Sequence, residues 1–355
     1  MTKIRKIAKW LSITLASFLA HLLCLAILIY IPPVQNFIVR QVTKSLSVST
    51  GMDISIQQVR LVFPLDLSVD RILVKEDNDT IVQARSLKLD VQFLPLLQGR
   101  ADIDGVTLRK VRLNTRSFIS DTQVYGTAGL LAASAHGVDW KKELIHLNSV
   151  RLEDADLYVA LSDTAQPDTS SAPVNWDIAL EQADILRSKI HLSMPGDSMR
   201  LYSHIKELAL QKGRFNLGKS YYGFKKLDIK HSAVHYDLPK EPEVPGLDVS
   251  HLAFDGITLA MDTLSYNAKG ELQAGLRKAM LKEKCGLNVQ SLTGRIYLNN
   301  DRIYLPDLKI ETPHSHAEAH VNFDFRSLEA QKGGICQALL DAELGSEDIR
   351  LLAAA

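Results

Sequence analysis

The sequence predicts a mainly β protein, in which one N-terminal transmembrane helix precedes an elongated, taco-like antiparallel β-groove of repeating hairpins. Three observations predict it. An uncharged apolar stretch runs from Leu11 to Ile31, apolar residues beyond Gly51 recur at every second position, and turn-forming residues punctuate them.

Residues 1–31 form a cytoplasmic tip and the membrane helix. A charged side chain at mid-bilayer costs about 2.5–3.5 kcal/mol on insertion scales, so an uncharged run this long reads as a membrane span. Lys3, Arg5, Lys6 and Lys9 precede it, which keeps the N-terminus in the cytoplasm and sends the rest of the chain across. Trp10 and Leu11 stand at one end of the anchor, Leu22 and Leu25 inside it, and Tyr30 and Ile31 at the other end. The run outlasts a signal-peptide core and ends in Pro32-Pro33 instead of a small-x-small cleavage site.

Pro32-Pro33 stops that helix, and Val34, Phe37, Ile38, Val42 and Leu46 then recur at helical spacing. Residues 32–50 are therefore expected to form an amphipathic juxtamembrane helix. Beyond Gly51 the period becomes two. Leu87, Leu89, Val91 and Phe93 alternate with Ser86, Lys88, Asp90 and Gln92, and similar alternation follows at Leu157-Val159, Leu208-Leu210, Leu227-Ile229 and Ile257-Leu259. Turn signals are read at Asp77-Asn78-Asp79, Gln98-Gly99, Asp104-Gly105, Lys212-Gly213, Asp255-Gly256 and Asn299-Asn300-Asp301. The β-groove divides into residues 51–162 and 176–355, joined by a Ser/Thr/Pro/Asp-rich linker at 163–175. Pro239 to Gly246 is a second breaker, and Gly270 to Lys284 is read as strand.

A degenerate unit recurs in Val150 to Val159, Leu208 to Leu217 and Leu227 to Tyr236: a strand, a small-residue turn or bulge, and another strand. Stacking such units gives a sheet with one whole apolar face and few helices to cover it. Either the sheet closes into a sandwich, or it curls into a trough lined by residues such as Leu89, Val91, Leu157, Val159, Leu208, Leu210, Leu227 and Ile229. A lipid acyl chain is the natural guest of such a trough beside a membrane.

Composition and motifs exclude other classes. Lys+Arg and Asp+Glu both number 41, so nucleic acid is not expected as a partner. No Cys-x-x-Cys occurs, and a Cys285–Cys336 disulfide is open on spacing alone. Gly213 to Ser220 has the spacing of a phosphate-binding loop, but the alternation around it starts no helix. His314, His316, Glu318 and His320 fall on alternate positions. On one strand they would share a face and could bind zinc; the competing reading is a solvated strand face. Glu76 to Asp79 lacks the Gly and final Glu of a calcium loop and reads as a hairpin turn. No ordered nucleophile motif appears, so no enzyme activity and no cofactor are expected.

The stretch from Thr50 to Ile56, then Val59 to Leu65, Val69 to Val74, Asp79-Thr80-Ile81, Leu87 to Val91, Leu96 to Gly99 and Ile103 to Val106 resembles the start of AsmA-like proteins, in particular the TamB-type translocation-and-assembly proteins of Gram-negative bacteria. Leu292 to Ser315 is similar to the same repeated strand pattern. The resemblance implies a single-pass inner-membrane anchor, a periplasmic β-groove and a role in moving phospholipid to the outer membrane. It equally implies support for outer-membrane protein assembly, in which exposed strand edges pair with client segments. TamB-type proteins are far longer and end in a domain that meets an outer-membrane β-barrel partner. On the resemblance, this chain is expected to be an N-terminal piece, with any such contact made by a part beyond Ala355.

Overall fold

The computed structural model describes residues 52–353 apart from 63–65, 77–78, 92–102, 116–121, 140–141, 162–174, 217, 329–333 and 335, together with positions 33, 44 and 47. The expected membrane helix and nearly all of the juxtamembrane helix lie outside the described residues. Within those residues, no helix is long and apolar enough to cross a membrane.

Among the described residues, seventeen strands form one sheet. They are β1 (Asp53–Val62), β2 (Asp66–Glu76), β3 (Asp79–Val91), β4 (Ile103–Asn114), β5 (Thr122–Asp139), β6 (Leu144–Glu153), β7 (Asp156–Leu161), β8 (Asp177–Ser193) and β9 (Arg200–Asn216). There follow β10 (Tyr221–Phe224), β11 (Lys226–Asp237), β12 (His251–Tyr266), β13 (Leu272–Glu283), β14 (Asn288–Leu298), β15 (Arg302–Glu311), β16 (His316–Asp324) and β17 (Cys336–Glu343). A short helix, α1 (Ser346–Ala353), comes last. Strands pair in chain order. β6 and β7 lie end to end between β5 and β8, and β10 and β11 lie end to end between β9 and β12. Every pairing is antiparallel except those of β6 and β7 with β8. The expected linker explains that exception: it carries the chain from Leu161, opposite Thr122, back to Asp177, opposite Leu144. A parallel step requires such a crossover.

The repeated unit is a bulge inside a long strand, not a hairpin. Asp154, Lys212 and His231, one in each of the three units, have φ of 51°, 54° and 48°. Arg71, Lys110 and Arg187 share this left-handed backbone. Correspondingly, Asp104-Gly105, Lys212-Gly213 and Asp255-Gly256 lie within β4, β9 and β12. A left-handed residue in a strand turns the next side chain to the face that an uninterrupted alternation would deny it. The apolar period accordingly steps by three at one height of the sheet: Val69 to Ile72, Leu108 to Val111, Leu152 to Ala155, Ile185 to Ser188 and Ile229 to Ser232. Arg187 demonstrates the switch, because its guanidinium reaches the adjacent carboxylates of Glu153 (3.0 Å) and Asp154 (2.6 Å) on one face.

Small side chains fill this kink line and are deeply enclosed. Ala84, Ala155, Ser188 and Ser232 are 0–3% exposed. Ser188 Oγ accepts from Ala155 N (3.2 Å) and donates to Leu186 O (2.8 Å), so its burial leaves no polar group unpaired. Gly126 (φ 143°) is required where β5 meets β7, since a Cβ there would stand 2.0 Å from the Asp156 carbonyl oxygen.

Other expectations meet the structure directly. β13 spans the segment read as strand, and the Pro239 breaker sits in the β11–β12 connection. Asn299 Oδ1 accepts from Asp301 N (3.0 Å) and Arg302 N (2.8 Å), making the expected turn between β14 and β15. Cys285 and Cys336 are free thiols. Cys285 follows the Glu283 end of β13, whereas Cys336 pairs with Phe323 at the opposite end of the strands, near Arg302. Strands of this length separate the two by roughly 30 Å, far beyond disulfide reach. Asp348 docks α1 at the β15–β16 turn, accepting from Thr312 Oγ1 (2.5 Å) and Ser315 Oγ (2.6 Å). These donors hold its carboxyl below the usual range.

Candidate functional site

Cross-strand register assembles the alternating apolar residues into continuous rows. One row passes through Val59, Val69, Leu87, Leu108, Leu131, Leu152, Ile185 and Leu208, each directly opposite the next. It continues through Ile229, Leu259, Ala279, Leu292, Ile310, Ala317 and Ala342. A second row on the same face takes in Leu67, Leu89, Val106, Ala133, Val150, Ala183, Leu210, Leu227, Met261 and Leu276. Directly opposed residues of a sheet point to one face, and each apolar pair contributes about 0.2–1 kcal/mol.

Five of the eight lining residues expected from sequence, Leu89, Leu208, Leu210, Leu227 and Ile229, fall into these rows. Leu208 faces Ile229, and Leu210 faces Leu227. Leu89 stands between Leu67 and Val106, while Leu157 and Val159 lie beyond the kink, opposite Ile190 and Leu192. Val91 pairs through its backbone with Ile103. Apart from Val91, each is half-buried. Leu131, in the middle of the first row, is 37% exposed, and only thirteen apolar side chains among the described residues are buried. A second sheet packed about 10 Å away would dry this face. Among the described residues there is no second sheet.

The opposite face is polar, and its charges pair across strands: Lys230 with Glu207 (2.6 Å), Arg214 with Asp177 (2.9 Å), Arg295 with Asp307 (2.9 Å) and Lys309 with Glu318 (2.6 Å). Hydrogen bonds from Arg187 and Arg151 hold the Asp154 and Glu153 carboxyls below their ordinary range. An aromatic ladder also runs on this face: Tyr125 stacks on Tyr158 (4.9 Å), Tyr158 on His191 (4.0 Å), and Tyr202 and His235 continue it. This ladder was not anticipated, although Tyr158 alternating with Leu157 and Val159 is its signal.

The zinc candidates separate. His314 stands outside β16, in the turn before it, with Nε2 2.9 Å from Glu347 Oε2. His316 and Glu318 share a face, but Glu318 is taken up by Lys309, and His320 Nδ1 lies 3.0 Å from Pro306 O. No cluster of three metal-binding side chains forms among the described residues. The Gly213–Ser220 segment begins in β9 and ends in the turn to β10, where Asn216 Oδ1 accepts from Lys219 N (2.8 Å); no helix starts there. No protein-family model and no curated protein matches the sequence.

Proposed function

We propose that the apolar rows line a groove that carries the hydrocarbon chains of phospholipid, with residues 1–31 anchoring the molecule in the inner membrane and the sheet on the periplasmic side. The single observation that carries this reading is the first row. It is apolar from strand to strand along the whole sheet, yet half-buried or open at most positions. Apolar surface left uncovered over such a length costs about 25 cal/mol per Å2, which an acyl chain would recover. The kink line supports a curled sheet, because strands that bend at one height bend the sheet as a unit. The resemblance to AsmA-like and TamB-type proteins agrees with a lipid guest and an envelope location. No catalytic step or cofactor is needed.

Lipid mass spectrometry on gently extracted full-length protein tests this. Phospholipid is expected to accompany the wild type and to be lost from Leu210→Asp, whose circular dichroism should remain that of the wild type. A delipidated protein that takes up no phospholipid would remove the reading.

One observation favours a second reading, assembly of outer-membrane proteins by strand pairing. β17 is an edge strand exposed at every residue. Photocrosslinking separates the two: adducts at Leu208 carry lipid under the first reading, and adducts at Ala338 or Leu340 carry polypeptide under the second.

A further inference from the structure

A cluster of cations on β2–β4 stands outside the cross-strand charge pairing. Arg71, Arg85, Lys110 and Arg112 line a single cavity of about 990 Å3 over β1–β5, with Ile72, Ala84, Val111 and Ala128 also in its lining. None of the four has an ion-pair partner among the described residues. The one acidic residue on the rim, Asp154, is already engaged by Arg187 through two hydrogen bonds (2.6 and 3.1 Å). Register sharpens the anomaly. Arg71 stands across from Arg85, between the pairs Asp70–Ser86 and Ile72–Ala84, and Arg85 stands across from Lys110, between Ser86–Arg109 and Ala84–Val111. Three cations thus stand on adjacent strands, about 4.8 Å apart at the backbone, where like charges oppose folding.

Two of the four stand at kinks of the kind described above. Arg71 (φ 52°) and Lys110 (φ 50°) occupy the left-handed region, where glycine provides the same kink without strain. A long cationic side chain is kept at both positions against its conformational preference and against its neighbours' charge.

We infer that this cavity is an anion site for a ligand bearing two or more phosphate charges, which would neutralise the row and accept hydrogen bonds from three guanidinium groups and one ammonium. None of the four cations belongs to either apolar row, so the inference does not rest on the lipid-groove reading, and either can fail alone. The same chemistry is offered by soluble pyrophosphate and by the headgroups of an anionic lipid surface.

Isothermal titration calorimetry on the full chain in non-ionic detergent tests it with two probes. One is sodium pyrophosphate; the other is mixed micelles containing phosphatidylglycerol, with phosphatidylcholine micelles as control. Saturable binding of pyrophosphate identifies a soluble ligand, and binding of phosphatidylglycerol micelles alone identifies a headgroup. In either case Arg71→Gly/Lys110→Gly should weaken binding by at least about tenfold, and the remaining affinity should fall with added salt. Glycine suits both backbones, so this variant should melt at or above the wild-type temperature. Should it melt lower, Arg85→Gln, at an ordinary strand position, takes its place. Failure of both probes to bind the wild type overturns the inference, and so does wild-type affinity in the charge-removed variant.

Discussion

The apolar row ends differently at the two edges of the sheet. On β1, Val59 is 5% exposed and Val69 beside it 3%, although β1 has a neighbouring strand on one side only among the described residues. On β17, also with one such neighbour, Leu339 is 72% and Leu340 70% exposed. In-plane neighbours cannot account for the contrast. Beside β1, Ser47 Oγ accepts from Ile54 N (3.1 Å). The segment after β17 instead leaves its strand and docks on the β15–β16 turn through Asp348. One end of the row is closed and the other is open.

The strongest way to break this comparison is Val69→Asp. A carboxylate placed at the closed end, with no partner, should cost at least about 3 kcal/mol in denaturant unfolding. A smaller loss would mean that water reaches this end. Leu208→Ala, at the half-buried centre of the row, is expected to cost about 1–2 kcal/mol, because part of the side chain is already in contact with water.

Near the open end the comparison can be sharpened by pH. Arg326 holds the Asp324 carboxyl at about 2, below the ordinary 3.8. A carboxyl whose value is depressed on folding adds stability that is complete above its unfolded value and is lost as pH falls from about 3.8 towards 2. Arg326→Gln should therefore be less stable than wild type at pH 6, with the gap closing at pH 2.5, in denaturation curves at both values. A constant gap would show that the pair acts by packing. The smallest effect belongs to Leu340→Asp, within about 0.5 kcal/mol of wild type, as expected of a side chain that buries almost nothing.

Much of the β architecture was legible because period-two alternation is a local property. The β13 strand and the turn at Asn299 follow from it directly. The repeated unit was legible as a pattern but not as geometry. Asp-Gly, Lys-Gly and Asp-Ala serve a hairpin turn and an in-strand bulge through the same left-handed backbone, so β9 and β12, at 17 and 16 residues, were each broken in two. Features set by strands distant in sequence were not legible. The opposition of Arg71 to Arg85, the stacking of Tyr158 on His191 and the separation of Cys285 from Cys336 all depend on register. The zinc set failed for a related reason: alternation continues through His314, but the strand begins only at His316.

That β2, β4, β8 and β11 kink at the same height also bears on how such a chain can change in size. An insertion of one residue within a strand would throw all positions beyond it to the wrong side, whereas a whole antiparallel pair can be added or removed without cost to its neighbours. Excising residues 272–298 would bring β12 against β15 in the direction they already run, with Leu259 meeting Ile310. The molecule is built like a telescoping ruler, in which reach is a quantity that gene duplication can alter in fixed increments while the cross-section stays the same.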